Sequence, residues 1–203
     1  MHNYVQLNEM TRTYTLKRRA EQQAATRHRI VEAAVELHGS VGPALTTVSM
    51  IAERAGVQRH TFYAHFPDER SLYLACSGLA MDRDPPPDPS PWRDSADPLA
   101  RLRAGLPAIY AWYERNAALT GCVLRDAESH PLVREISEMR YGPHIAAYRE
   151  VLGEKLNLRQ RTLLHLALSF FTWRTLAREC GLTSDASVAA MIQAIAHAAA
   201  GSE

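Results

Sequence analysis

Apolar residues recur at helical spacing along almost the whole chain. In one clear case Val48, Ile51, Ala52 and Ala55 stand at positions i, i+3, i+4 and i+7, and they therefore share one face of a helix. No convincing run alternates apolar and polar residues as a half-buried strand does. The pattern predicts about nine helices and an all-α fold.

Capping and breaking residues divide the N-terminal part of this pattern. The first helix is predicted over residues 20–38, and Gly39 ends it. Thr47 is a suitable N-cap for the second helix, because its hydroxyl can accept from a free amide of the first turn. Gly56 closes that helix, since glycine tolerates a left-handed backbone. A third, short helix follows over residues 59–65, and a fourth begins after it.

Residues 82–98, DRDPPPDPSPWRDSADP, interrupt the helical pattern. Proline cannot occupy a helix interior without loss of a hydrogen bond, so we expect an extended linker here. It would join a small N-terminal domain to a larger C-terminal one. In the latter, the eighth helix is predicted over residues 158–180 and the ninth from Ser184 to about residue 200. Pro107 and Pro143 are expected to kink two earlier helices.

Composition narrows the function classes. The chain has 203 residues, of which 46% are hydrophobic and 22% charged, as in ordinary globular proteins. Its three cysteines are far apart, which predicts apolar packing in a reducing cytoplasm. No run of about twenty apolar residues predicts a membrane span. Nucleophile-elbow, P-loop, HExxH and metal-spaced motifs are absent from the sequence, so we expect no enzyme, no metal and no cofactor.

Positive charge is concentrated near the N-terminus. Residues 12–65 contain eight Lys and Arg against four Asp and Glu, although the whole chain carries a formal charge of only +1. This distribution is a modest indication of a polyanionic partner.

The stretch GVQRHTFYAHFP, residues 56–67, combines these observations. Two short helices joined by a tight glycine turn form a helix-turn-helix. Val57, Phe62 and Phe66 are expected to bury the second helix against the first. The remaining polar side chains would then face outwards, where such a helix enters the DNA major groove and reads base edges.

The block from residue 26 to residue 76, TRHRIVEAAVELHGSVGPALTTVSMIAERAGVQRHTFYAHFPDERSLYLAC, resembles the N-terminal domain of the TetR family of bacterial transcriptional regulators. The resemblance implies a homodimer whose helix-turn-helix binds operator DNA. It also implies a C-terminal domain that dimerises and holds a small inducer. The implied organisation is a flexible basic arm (1–19), a DNA-binding domain (20–67), a connecting helix (68–81), a linker (82–98) and a ligand-binding and dimerisation domain (99–203).

The resemblance also implies residue roles at the DNA. Base-edge contacts are implied for Arg59, His60 and Tyr63, with Ser49 in a place that sometimes reaches a base. Phosphate contacts are implied for Thr47, Thr61, Tyr63 and His65. The basic residues of the arm, Lys17, Arg18 and Arg19, either follow the DNA backbone or form a solvated tail, and the sequence leaves both open.

Two positions depart from the family pattern. Many relatives have a serine cap where Gln58 stands, and glutamine caps poorly, so Gln58 is a candidate for DNA contact instead. Many have a phosphate-binding lysine where Glu69 stands, and a glutamate there would repel the DNA backbone. Arg70 is a candidate substitute.

Aromatic and histidine side chains of the C-terminal domain are candidates for a ligand pocket, with core packing as the alternative for each. Tyr141, His144 and Tyr148 form the best group, since they lie at i, i+3 and i+7 and combine aromatic surface with polar tips. The full candidate set is Tyr110, Trp112, Tyr113, Tyr141, His144, Tyr148, His165, Phe170, Phe171 and Trp173.

Small residues mark the last two helices and permit close helix approach. In relatives these helices pair with their copies in a four-helix bundle, and packing within one chain is the alternative. The residues are Ala186, Ala189, Ala190, Ala194 and the run Ala198–Ala200.

The leading prediction is therefore a dimeric, ligand-responsive regulator, a repressor, which binds palindromic operator DNA and is released by a small effector. The alternative is a small-molecule sensor or carrier that does not use DNA. An all-helical enzyme is a third possibility that no sequence feature supports.

Overall fold

The computed structural model describes the backbone of residues 2–199 and the side chains of Tyr14 and of residues 16–199. That part of the chain is helical and contains no strand, which confirms the all-α prediction. Its helices are α1 (His2–Ser40), α2 (Val48–Ala55), α3 (Arg59–His65), α4 (Glu69–Arg83), α5 (Pro98–Arg115), α6 (Ala117–Ala127), α7 (Pro131–Gly153), α8 (Leu158–Ala167), α9 (Phe170–Arg174) and α10 (Ser184–His197).

The described helices number ten rather than nine, because the predicted eighth helix is divided. The carbonyl of Leu168 accepts a hydrogen bond from the Tyr113 hydroxyl at 2.6 Å, at the point where α8 ends. Helix α9 then begins at Phe170 and continues into a π-helical turn, Thr175–Glu179. The break depends on a partner 55 positions away in the chain, and no local breaker marks it.

Helix α1 is longer than predicted. It begins at His2 rather than near residue 20, so the segment expected as an arm is helical over residues 2–19. No glycine or proline occurs before Gly39, and this explains why nothing interrupts the helix. Helices α5 and α7 each continue on both sides of an internal proline, Pro107 and Pro143.

Two hydrophobic cores form, and one of them crosses the predicted domain boundary. The N-terminal core contains Ile30, Ile51 and Leu72 from the first four helices, together with Val133 and Ile136 of α7. The second core lies among α5 and α7–α10 and includes Trp92 of the segment between α4 and α5. The N-terminal domain therefore packs on the C-terminal part through α4, which contacts α7, and through α1, which contacts α6.

A polar joint accompanies this packing. The buried Asp126 of α6 accepts a hydrogen bond from the Ala44 amide at 2.9 Å, in the turn between α1 and α2. Arg125 donates to the Val41 carbonyl at 2.9 Å in the same turn. Gly42 lies between these contacts with φ 101 and ψ 155, a conformation in which only glycine is comfortable.

Residues 84–97, which we call the strap, follow α4 and contain a short 3₁₀-helix, Ser90–Asp94. The strap is packed rather than free. Trp92 is buried, with its ring centroid 5.5 Å from that of Tyr148. The buried guanidinium of Arg101 donates to the Ser95 carbonyl at 2.6 Å. The segment predicted as an extended linker thus contains a 3₁₀-helix and packs into the C-terminal core.

Within residues 2–199 no helix combines the length and hydropathy that crossing a bilayer requires.

Candidate nucleic-acid interface and cavity

Helices α2 and α3 form a helix-turn-helix whose turn follows from local sequence. The Met50 amide donates to the Thr47 hydroxyl at 3.3 Å, which caps the start of α2. Gly56 adopts φ 64 and ψ 43, the left-handed conformation of a helix C-cap. The Val57 amide then donates back to the Ala52 carbonyl at 2.9 Å. Three residues, Gly56 to Gln58, thus connect α2 to α3.

Two buried phenylalanines fix the orientation of α3. Phe62 is 3% exposed and Phe66 is 1% exposed, and their ring centroids are 5.9 Å apart. The Arg27 guanidinium of α1 covers the Phe66 ring at 4.7 Å from its centroid. This cation–π contact and the buried rings hold one face of α3 against α1 and α2. The opposite face is left to solvent.

The outer face of α3, defined by Gln58, Arg59, His60 and Tyr63, is exposed. Tyr63 keeps 50% of its surface accessible although it is a large aromatic residue. Within the described part of the chain, Arg59 and His60 form no hydrogen bond or ion pair. The side chains expected to read bases are therefore adjacent and uncommitted. Thr61 and His65 flank them, half-buried.

Gln58 stands at the N-cap position of α3, where many relatives have serine. Gln58 has an extended backbone, φ −78 and ψ 151, and its side chain makes no capping hydrogen bond. Its amide group is therefore available to a ligand. Thr47 and Ser49 are exposed at the start of α2, and Lys17, Arg18 and Arg19 are exposed on α1.

Glu69 and Arg70 begin α4 beside this surface. Glu69 is exposed, and the Asp68 carboxylate caps the helix by accepting from the Ser71 amide at 2.7 Å. Arg70 donates two hydrogen bonds to the Glu135 carboxylate of α7, at 2.9 and 2.5 Å. The hydrogen bonds from Arg70 lower the pKa of Glu135. Arg70 is thus engaged with α7 rather than free to replace a phosphate-binding lysine.

A cavity of about 290 Å³, the large cavity, lies among α5–α9 and the strap. Eight of the ten candidate side chains line it. Tyr110 and Trp173 do not, because both are fully buried in the surrounding core. The candidates that line the large cavity are Trp112, Tyr113, Tyr141, His144, Tyr148, His165, Phe170 and Phe171.

Three aromatic walls of the large cavity are fixed by hydrogen bonds to the backbone. The Tyr148 hydroxyl donates to the Pro87 carbonyl at 2.8 Å, and the Tyr113 hydroxyl donates to Leu168 as described. The Trp112 indole donates to the Asp84 carbonyl at 2.8 Å. Burial raises the pKa of Tyr113 and of Tyr148, so both remain neutral donors. The cavity is therefore lined by rings in set positions.

Sequence reasoning missed several lining residues. Arg149 and Thr120 line the large cavity, as do Pro86 and Pro87 of the strap. Arg149 follows Tyr148 directly, and that adjacency was the only available signal. The prolines were assigned to a linker, and nothing local shows that the strap closes one side of a cavity.

A second cavity of about 50 Å³, the junction cavity, lies where α1, α4, α6 and α7 meet. Its lining includes His38 and Cys76, whose Nδ1 and Sγ atoms are 3.5 Å apart. Burial lowers the pKa of His38 to about 4, so the imidazole is neutral at pH 7. Tyr141 lines both cavities, and Arg140 of the same helix donates to the Leu74 carbonyl of α4 at 3.0 Å.

The last helices present small and apolar residues at the surface. Ala186, Ala189 and Ala190 are exposed on α10, and Leu166 on α8 is 49% exposed. Ala194 and Ala198 are half-buried, Ala199 is exposed, and Ala200 lies outside the described residues. No group of three or more His, Cys, Asp or Glu within the described residues could hold a metal ion.

Comparison with known proteins identifies the helix-turn-helix unit. Residues 30–76 match the family model described as bacterial regulatory proteins, tetR family. A TetR-like transcriptional regulator from Rhodococcus sp. RHA1 shares 17% identity and a TM-score of 0.62, over 87% of this chain and 97% of that one. The fatty acid degradation regulator FadR from Bacillus halodurans shares 17% identity and a TM-score of 0.56, over 87% and 95%. At this identity the likeness shows a shared fold. No curated protein matches the chain in sequence.

Proposed function

We propose that the chain is a transcriptional regulator of the TetR family, a dimeric repressor that binds a palindromic operator through α3 and is released by a small molecule in the large cavity. The match of residues 30–76 to the family model supports this proposal. The observation that carries the proposal is the outer face of α3. Its arginine, histidine and tyrosine are exposed while Phe62 and Phe66 hold the helix from behind. Arginine is the commonest reader of guanine in the major groove.

Dimerisation gives this face its specificity. One recognition helix reads only a few base pairs, whereas two helices related by a twofold axis read a palindrome with half-sites a whole number of helical turns apart. The exposed small residues of α10 and the exposed Leu166 of α8 support a dimer interface on the last helices. Such residues permit close helix packing, in which each copy buries the apolar face of the other.

Helix α7 supplies a physical connection from the large cavity to the DNA-binding unit. Tyr141 separates the two cavities, while Arg140 and Glu135 bond to α4. An effector that requires a different position of α7 would shift these contacts with α4 and so change the spacing of the two α3 helices. The free energy by which the effector changes the equilibrium between the two arrangements cannot exceed the difference in its binding free energy for them.

A sensor or carrier that does not use DNA is the second candidate. Glu69 supports it, because an exposed carboxylate at the start of α4 repels phosphate where many relatives place a lysine. The low formal net charge of +1 agrees with weak attraction to DNA.

Selection of bound sequences from a random DNA pool, followed by fluorescence anisotropy with the selected site, separates these two functions. We expect an inverted repeat to be enriched. Arg59→Ala should weaken binding to that repeat by about 1–3 kcal/mol, roughly five- to 150-fold, and relax one position of each half-site. The control Arg93→Ala removes an exposed arginine of the strap, which pairs with Glu150, and should leave the affinity unchanged. If unrelated DNA competes for the protein as well as the selected site does, the regulator proposal is wrong and the sensor is favoured.

A further inference from the structure

The wall of the large cavity carries basic groups and no acidic one. Among the described residues that line it, His144, Arg149 and His165 are basic, and neither Asp nor Glu occurs. The rest of the lining is aromatic, aliphatic, proline or hydroxyl-bearing. A concave site with one sign of charge and low-dielectric walls attracts a ligand of the opposite sign.

Arg149 is exposed and has no ion-pair partner within the described part of the chain. It forms no hydrogen bond or ion pair there. The neighbouring Glu150 does not neutralise it, because that carboxylate bonds to Arg93 at 2.6 Å. Arg101, which is buried, is likewise paired, with Glu154. Arg149 is thus the uncommitted guanidinium of the cavity wall, and a guanidinium binds carboxylates with charge-assisted hydrogen bonds.

Two neighbouring hydroxyl groups, those of Thr120 and Tyr141, also line the cavity. Thr120 is 3% exposed, and its Oγ1 makes no hydrogen bond of standard geometry with the described residues. The Tyr141 hydroxyl is its near neighbour, and this proximity opposes the rise in the Tyr141 pKa that burial causes. The hydroxyls of Tyr113 and Tyr148, by contrast, are bonded to backbone carbonyls. A buried polar group without a partner is costly, and a ligand oxygen would satisfy it.

The remaining lining residues determine the size and polarity of the rest of the ligand. Trp112, Phe170 and Phe171 offer apolar surface, and Ile109 and Leu124 complete it. The cavity volume of about 290 Å³ accommodates roughly ten non-hydrogen atoms, at about 30 Å³ for each water-sized group. A molecule of that size buries an apolar chain or ring and keeps one polar end.

We propose that the large cavity binds a small apolar molecule with a single anionic group, an apolar monocarboxylate, whose carboxylate is held by Arg149. The role of this molecule as an effector depends on the proposed function, but its binding to the cavity does not. The histidines at the wall add further donors. A neutral alcohol lacks the charge that Arg149 complements, and a quaternary ammonium compound would meet the basic side chains of the wall.

Calorimetric titration with three matched compounds tests this ligand class. Octanoate has ten non-hydrogen atoms, and octanol and octyltrimethylammonium share its alkyl chain. We expect octanoate to bind at least about tenfold more tightly than either, because hydrogen bonds to a charged group contribute about 1.5–3 kcal/mol. Preference for the alcohol or for the ammonium compound, or no binding of octanoate, overturns the proposal.

Substitution of Arg149 tests whether this residue holds the carboxylate of the ligand. Arg149→Gln should weaken octanoate binding about tenfold and leave octanol binding unchanged, whereas the matched control Arg103→Gln should change neither. An equal loss for both compounds in Arg149→Gln indicates a packing role and contradicts the proposal. Circular dichroism of both variants identifies any loss of fold.

The same samples distinguish this inference from the proposed function. Specific DNA binding without a preference for octanoate leaves the regulator in place and removes the monocarboxylate. Octanoate binding without specific DNA binding retains the ligand class and removes the regulator.

Discussion

Substitution of Gly42 tests how much the contacts between the α1–α2 turn and α6 contribute to the stability of the protein. The backbone of Gly42, φ 101 and ψ 155, lies in a region that is essentially restricted to glycine. A Cβ at this position would overlap Arg125 Nη2 and Asp126 Oδ2. Gly42→Ala therefore adds backbone strain and also displaces the carboxylate that accepts from the Ala44 amide at 2.9 Å.

These two effects can be estimated separately. The backbone conformation costs about 1–3 kcal/mol for a residue with a Cβ. Loss of the acceptor for the Ala44 amide costs about another 1–3 kcal/mol. A total of about 4 kcal/mol lowers Tm by roughly 10 °C in a chain of this length.

Gly56→Ala is the matched control. Gly56 also has a positive φ, 64°, but no atom lies within 4 Å of the position that its Cβ would take. Only the left-handed backbone is penalised, by about 1 kcal/mol, which corresponds to a fall in Tm of about 2–4 °C.

Thermal unfolding followed by circular dichroism compares the two variants directly. The expected order is wild type, then Gly56→Ala, then Gly42→Ala by a clear margin. If Gly42→Ala unfolds at the same temperature as Gly56→Ala, the joint through Asp126 does not hold the two parts together as described.

Three further predictions concern other parts of the molecule. Glu69→Lys should tighten DNA binding and steepen its dependence on salt by about one phosphate contact, measured by anisotropy across salt concentrations; an unchanged slope would place Glu69 away from the DNA. His38 has a folded-state pKa of about 4 against an ordinary value of 6.5, so the unfolded state takes up its proton first and stability should fall by up to about 3 kcal/mol as pH drops from 6.5 to 4. His38→Gln should flatten that part of the pH profile of unfolding, and a profile identical to wild type would exclude His38 as its cause. Trp92→Ala should cost about 3–5 kcal/mol in denaturant unfolding if the strap is part of the core, and almost nothing if it is a free linker.

The helix-turn-helix could be predicted from the sequence because its determinants are local. Thr47 and Gly56 cap the two ends of α2, which has eight residues, and Phe62 and Phe66 are about one helical turn apart. Each signal acts on its immediate neighbours, so the pattern alone placed the turn and the outer face of α3.

The remainder depended on contacts between distant segments. The break before α9 follows from the hydrogen bond between Tyr113 and Leu168, and the burial of Trp92 follows from its contact with Tyr148. Neither partner can be inferred from helical periodicity. The large cavity illustrates the same limit. Most of the aromatic residues named from the sequence line it, but Arg149 was not among them, because its place on the wall depends on how α7 packs.

The central claim is that two copies of α3 read one operator, and footprinting of the selected DNA tests it most directly. The account predicts two protected half-sites, related by inversion, with centres a whole number of helical turns apart and on one face of the duplex. Arg59→Ala should weaken protection of both half-sites together, by the factor expected for its affinity. A single protected segment, or two whose affinity Arg59→Ala leaves unchanged, would contradict the claim.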